Sequence, residues 1–303
     1  PKEAVPVATK LVEKDKVVGA VSGSYSGLIS AAAGIFQAGK VPYVVAYAIH
    51  PDITRTGNYV FRVSAMGEVQ GRGGAKLVST LGKKKVTIIT VKNDFGQALA
   101  AGFKEAAPKF GLQITGEYEY GMADRQFGAV VSKVKADAPE VIYASGYFFN
   151  AGPLVSQLRA AGITAPIIGQ EGYDSDKFIE IAGAASEGTL VTTSLDRDSD
   201  VPATKAFLAD YRKANNAGAD MVAAASFTAT SVLIEGLKKS GGKGGDALRA
   251  AMAGGTYVTP IGKLTFNSLN EVAKDIQVQV VKDKAFRRHS VISDAALLAP
   301  PTK

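Results

Sequence analysis

The 303-residue chain contains no cysteine and no tryptophan, and its only histidines are His50 and His289. Without thiols it has no disulfide framework, no thiolate nucleophile and no Cys/His zinc site. Long apolar runs are missing too, since none reaches the roughly 18 consecutive residues of a membrane span. The opening Pro1-Lys2-Glu3 lacks the basic-then-apolar pattern of a leader. A mature chain would have lost such a leader, so export stays open. Acidic residues are outnumbered, giving a formal charge of +7, but the excess is scattered. The densest groups are Lys83-Lys84-Lys85, Lys238-Lys239 and Arg287-Arg288, with few aromatics between them. A nucleic-acid interface gathers its charge into one patch or along one helix. A solvated surface and no nucleic-acid partner are therefore expected.

What is present is the balance of a globular protein, 46% apolar and 21% charged. At about 150 residues per domain the length predicts about two compact units. Short β-branched runs occur at 17–21, 43–47, 86–91, 141–144, 167–169 and 190–193. Between them, residues 28–37, 97–107, 127–134 and 154–161 carry apolar positions three and four apart, the helical spacing. Gly39 and Gly162 stand just past the ends of two of these stretches, as helix stops. Strand and helix alternating in this way predict an α/β fold with parallel sheets covered on both faces. After about Val201 the texture changes to two longer helices, 206–215 and 223–239, and a Gly-rich loop at 241–245. A helix resumes at Asp246, and short strands at 262–266 and 276–281, open to antiparallel pairing, come after it.

Catalytic patterns are sparse. No Gly-Lys pair is followed by Ser or Thr, so there is no phosphate-binding loop of that type. Gly67, Gly71, Gly73 and Gly74 lie at a helix start and read as close helix packing or a hinge. Gly23-Ser24-Tyr25-Ser26-Gly27 has the wrong spacing for a nucleophile elbow. His50-Pro51-Asp52 reads as a turn, and Asp174 and Asp176 as carboxylates at a helix start. No metal site, cofactor or catalytic residue is expected.

The strand ends are more informative. Tyr25 and Ser26 come after the first run, Ala48-Ile49 after the second and Asp94-Phe95-Gly96 after the third. Gly146-Tyr147-Phe148 and Glu171-Gly172-Tyr173 come after the next two. Ligands of open parallel sheets bind beyond the carboxyl ends of the strands. Here those ends carry hydroxyls, aromatic rings and one carboxylate, a suitable lining for a small zwitterion.

These strings, with Pro1-Lys2-Glu3-Ala4-Val5, His50-Pro51-Asp52-Ile53-Thr54, Phe61-Arg62, Asn93-Asp94-Phe95-Gly96 and Leu158-Arg159-Ala160-Ala161-Gly162, resemble one family in order and spacing. It is that of the periplasmic substrate-binding proteins of branched-chain amino acid ABC transporters, the type I periplasmic binding protein fold. The resemblance implies two Rossmann-like lobes joined by a three-stranded hinge, with crossovers near 64–68, 193–196 and 276–279. The first lobe would comprise 1–68 and 195–275, the second 69–194 and 276–303. It also implies a non-catalytic, monomeric, exported protein, made with a signal peptide and working in the periplasm with a membrane permease. Its ligand would be an amino acid or a similar small carboxylate. A sensing relative of the same fold, a binder of aromatic acids and, further off, an α/β enzyme are the alternatives.

Carried over residue by residue, the resemblance implies ligand contacts from Tyr25, Ser26, Tyr47, Ala48, Ile49, Phe95, Tyr147 and Glu171. Ser26 would hold the ligand carboxylate and Glu171 its ammonium. Ile49 stands where amino-acid binders carry a threonine, and an aromatic expected near Met221 or Val222 is absent. The family's first βαβ unit has no counterpart before residue 1.

Overall fold

The computed structural model describes residues 2–23 and 25–302. Twelve strands are defined among them: β1 Ala20–Ser22, β2 Tyr43–Val45, β3 Val60–Arg62, β4 Lys85–Val91, β5 Gln113–Tyr120 and β6 Val141–Ala144. The others are β7 Ile167–Gly169, β8 Leu190–Thr193, β9 Thr256–Thr259, β10 Gly262–Thr265, β11 Ile276–Lys282 and β12 Ala285–Ile292. Strands β1, β2 and β3 form a parallel three-stranded sheet. A seven-stranded sheet runs β12-β11-β8-β7-β6-β4-β5, parallel from β8 to β5 and antiparallel where β11 joins β8 and β12. The mixed α/β architecture expected from the alternating periodicity is the one observed.

The chain passes from the first sheet to the second between β3 and β4, leaves after β8, and returns at β11. In between, helix Met221–Lys239 packs on β1 and β2. That helix is long and apolar enough to cross a bilayer by length and mean hydropathy. Nevertheless Met221, Ala224, Ala225, Thr228, Ala229, Val232 and Gly236 bury one helical face. Spacings of three and four are those of a helix lying on a sheet, although Phe227 and Ile234 are exposed beside Thr230, Glu235 and Lys238 on the other side.

Some elements depart from the periodic reading. The run at 17–21 forms strand only from Ala20, because the Val17 N–H is taken by the Leu11 carbonyl of the preceding helical turn. Strand β5 lies at a sheet edge and is half exposed, so its Gln-Ile-Thr-Gly-Glu-Tyr-Glu-Tyr sequence lacks the apolar run of a central strand. Strand β12 is also an edge. It closes a hairpin through Asp283 and Lys284, both at positive φ as a two-residue hairpin turn requires.

The four glycines expected at a packing contact or hinge belong to helix Gly67–Thr80, which lies against helix Asp94–Ala106. A Cβ at Gly71 would stand 2.2 Å from the Leu99 carbonyl oxygen, and one at Gly102 2.0 Å from that of Glu68. The backbones meet because neither residue has a side chain. Gly71→Ala is expected to destabilise the protein by about 1–3 kcal/mol, the usual cost of overpacking. Exposed Gly34→Ala, with nothing within 4 Å of the added methyl, should instead stabilise by about 0.4–1 kcal/mol. Urea unfolding of both variants checks the contrast, and similar midpoints would contradict the packing account.

Candidate functional site

Three helices begin where parallel strands end, and their first residues face one another. Ser26–Ala38 comes after β1, Asp94–Ala106 after β4, and Phe148–Ala160 after β6. Asn93 caps the second, its Oδ1 accepting from Gly96 N at 2.9 Å. Asn150 Oδ1 accepts from Tyr147 N at 2.8 Å at the start of the third. Between them lies a cavity of about 490 Å³, lined by Tyr25, Ser26, Gly27 and Leu28 on one side. Asn93, Asp94, Phe95, Met122 and Tyr147 form the other. Three helix N-termini bring partial positive charge to this space.

Three of its nine lining residues are aromatic: Tyr25, Phe95 and Tyr147. Tyr147 stacks on Phe95 with centroids 5.0 Å apart and meets Tyr25 at 5.3 Å, and Tyr47 sets its edge against Phe95 at 6.1 Å. Asn93 Nδ2 donates to Tyr147 Oη at 3.2 Å, which fixes that ring. Tyr25 has φ +70°, a costly value for a bulky residue, and is 39% exposed at the mouth. The Ser26 hydroxyl is buried and accepts the His50 N–H at 3.3 Å, leaving its own proton to donate.

The structure therefore brings Tyr25, Ser26, Phe95 and Tyr147 together around one cavity. Tyr47, Ala48 and Ile49 lie buried behind it. Arg62 holds their loop: Nη1 donates to Ala48 O at 3.0 Å and His50 O at 2.8 Å, while Nε and Nη2 pair with the carboxylate of buried Glu271. The Ile49 carbonyl accepts from Gly67 N at 2.9 Å. Gly27, Leu28, Asn93, Asp94 and Met122 complete the lining, and none of the five is among the contacts expected from the sequence. Ser24 lies outside the described residues.

Glu171, on the short turn after β7, is 2% exposed and is not part of the cavity wall. Its Oε1 accepts from Ser194 Oγ at 2.6 Å and its Oε2 from Gln70 Nε2 at 3.0 Å. Desolvation drives its pKa upward, against the lowering effects of these donors and of Lys274. Lys274 is pushed down by its own burial, while Glu171 supports its charge. Its Nζ is buried with no hydrogen-bond partner among the described residues, as are Tyr47 Oη and Gln70 Oε1. Gln70, Ser194 and Lys274 carry no signal in the sequence, because each comes from a different, distant segment of the chain.

Two α/β units with a ligand-sized cleft between facing helix N-termini define the class of hinged solute-binding proteins. A periplasmic binding protein family model matches residues 1–285, and the chain belongs to that family. It is 28% identical over 274 residues to the leucine-, isoleucine-, valine-, threonine- and alanine-binding protein of Pseudomonas aeruginosa, spanning 90% of this chain and 73% of that one. It is 30% identical over 279 residues to a Leu/Ile/Val-binding protein homologue of Brucella melitensis, 90% and 74% of the two chains. Among solved structures, a leucine-binding protein from Thermotoga maritima superposes with TM-score 0.91 at 25% identity, covering 96% of this chain and 84% of that one. A solute-binding protein from R. palustris, held in complex with benzoate, reaches 0.88 at 22% over 97% and 84%, a likeness of fold. The protein is a solute-binding component of an ABC transporter.

The buried Glu171 makes stability depend on pH. Below about 4.5 the carboxyl is protonated in both folded and unfolded chains; from there to about 7 only the unfolded chain has released the proton. The folded state thus binds more protons in this window, and stability falls as pH rises through it. Unfolding by urea across the window should show this loss in wild type and a flatter profile in Glu171→Gln. Equal slopes would contradict the assignment.

Proposed function

We propose that the cleft captures a small organic carboxylate between two lobes and hands it to a membrane permease, without catalysis. The lobes are taken as 1–68 with 195–275 and 69–194 with 276–303, and the working location as the periplasm, with the protein a monomer. The cavity shared by the first turns of the Ser26 and Asp94 helices, which belong to different sheets, carries this reading. The Ser26 hydroxyl and the N-terminus of its 13-residue helix suit a carboxylate, and Tyr25, Leu28, Phe95 and Tyr147 suit an apolar body. The amino acids in the relatives' names share this pattern of one carboxylate on a small body. A ligand touching both lobes stabilises the closed arrangement through contacts that the open one lacks.

Calorimetry with 4-methylpentanoate and its uncharged amide tests the carboxylate requirement, since the two share size and skeleton. The acid should bind and the amide should bind at least about tenfold more weakly, with Ser26→Ala losing a similar factor for the acid, as for a hydrogen bond to a charged group. Equal affinities for acid and amide would overturn the reading.

A further inference from the structure

Residues 293–302 take no part in the cleft, yet they are tied to both units. They follow strand β12 and run over helix Gly67–Thr80, which packs against β8 and β12 of the seven-stranded sheet. Leu297 and Leu298 are buried. Arg72 of that helix donates through Nε to the Leu297 carbonyl at 2.8 Å and through Nη2 to the Ala299 carbonyl at 2.9 Å. The far end of the segment is held by the other unit. Asn267 Nδ2 donates to the Pro301 carbonyl at 2.8 Å, and Ser268 Oγ to that of Thr302 at 2.5 Å. The 267–271 turn that supplies these donors is fastened to β3 of the three-stranded sheet. Asn270 Nδ2 donates to the Val60 carbonyl at 3.1 Å, the Asn270 carbonyl accepts from Arg62 N at 3.1 Å, and Glu271 pairs with Arg62. At the near end, Ser293 Oγ donates to Asp275 at 2.5 Å, one residue before β11. The segment is thus bonded at both ends of the third pass between the sheets.

We propose that residues 293–302 are a splint across the third pass. It holds the units in the shut arrangement, in which Tyr25 and Tyr147 meet across the cleft at 5.3 Å, and lets go of Asn267 and Ser268 when they swing apart. This goes beyond the solute-capture reading and takes from it only the movement of two units. Hinge motion concentrates backbone rotation in a few residues. Rotation between Ser268 and Asp275 carries the 267–271 turn away from β11 and pulls on the far end of the segment. That end is the one built to yield. The near end is anchored by two buried leucines and by Arg72, the far end by two hydrogen bonds, with Thr302 exposed. Beside it lies a cavity of about 510 Å³, lined by Leu297 and Pro301 and by the charged Arg55, Glu68 and Lys109. Charged walls hold water, so the end lifts without opening an apolar core. Each net hydrogen bond lost there shifts the balance between shut and open by about two- to tenfold.

Asn267→Asp keeps the Oδ1 that accepts from Leu269 N and Glu271 N, but it sets a carboxylate oxygen against the Pro301 carbonyl. Combined with Ser268→Ala, it releases the far end and leaves the turn folded. Because the chain has no cysteine, Ser268→Cys/Thr302→Cys joined by a short bismaleimide locks that end instead. Small-angle X-ray scattering without ligand should give the largest radius of gyration for the released protein and the smallest for the locked one. Calorimetry should show the released protein binding 4-methylpentanoate about two- to tenfold more weakly than wild type, because less of it is shut. Arg72→Leu frees the middle of the segment without touching the turn, should act in the same direction, and serves if the first variant fails to fold. One radius common to all the proteins, or a wild type as large as the released protein with only the locked one smaller, overturns the splint. If 4-methylpentanoate still binds in that case, the carboxylate reading stands. The expected order of radii with no acid bound by any form supports the splint and overturns the carboxylate reading alone.

Discussion

A carboxylate buried where the chain passes between its two sheets is the constraint around which the cleft is organised. Glu171 is almost wholly removed from water, and a buried charge of this kind is tolerable only if the protein supplies donors and a counter-charge. Those groups come from all three passes. Gln70 lies just past the first, Ser194 opens the second directly after β8, and Lys274, which acts on the carboxylate electrostatically, lies just ahead of the third. Glu171 is thus a tie between segments that connect the two sheets.

The surroundings hold this arrangement rigid where it must be rigid. Arg62, fully buried on β3, clamps the 48–50 loop through two carbonyls and is neutralised by Glu271 from the segment that precedes β11. Beyond the first pass, helix Gly67–Thr80 is locked backbone to backbone against helix Asp94–Ala106 by Gly71 and Gly102. The second of these helices presents Asp94 and Phe95 to the cavity.

Much of this is legible in the sequence, for identifiable reasons. The central strands β4, β6, β7 and β8 are buried and announce themselves as apolar runs, and the helices between them keep their spacing. Tyr25, Ser26, Phe95 and Tyr147 stand out by position alone, because a parallel sheet gathers the residues just beyond its strand ends at one edge. Strand β5 escapes because an edge strand has one face in water and needs no apolar run. Glu171 is legible as a candidate anchor, but its partners are not. Gln70 is 101 residues away along the chain and Ser194 is 23. No local pattern links them, and the donors that occupy a carboxylate decide what else it can bind. The same applies to Ala48, whose engaged carbonyl depends on Arg62 arriving from a neighbouring strand.

The absence of cysteine allows the central claim, that a solute closes the cleft between two lobes, to be measured directly. Gly34→Cys and Gln97→Cys place the only two thiols on exposed positions of helices Ser26–Ala38 and Asp94–Ala106, which flank the cavity from opposite sides. With spin labels on both, pulsed electron resonance reports the distance between the helices. The account predicts a broad, longer distribution without ligand that narrows and shortens at saturating 4-methylpentanoate. A distribution that does not change on saturation would contradict it.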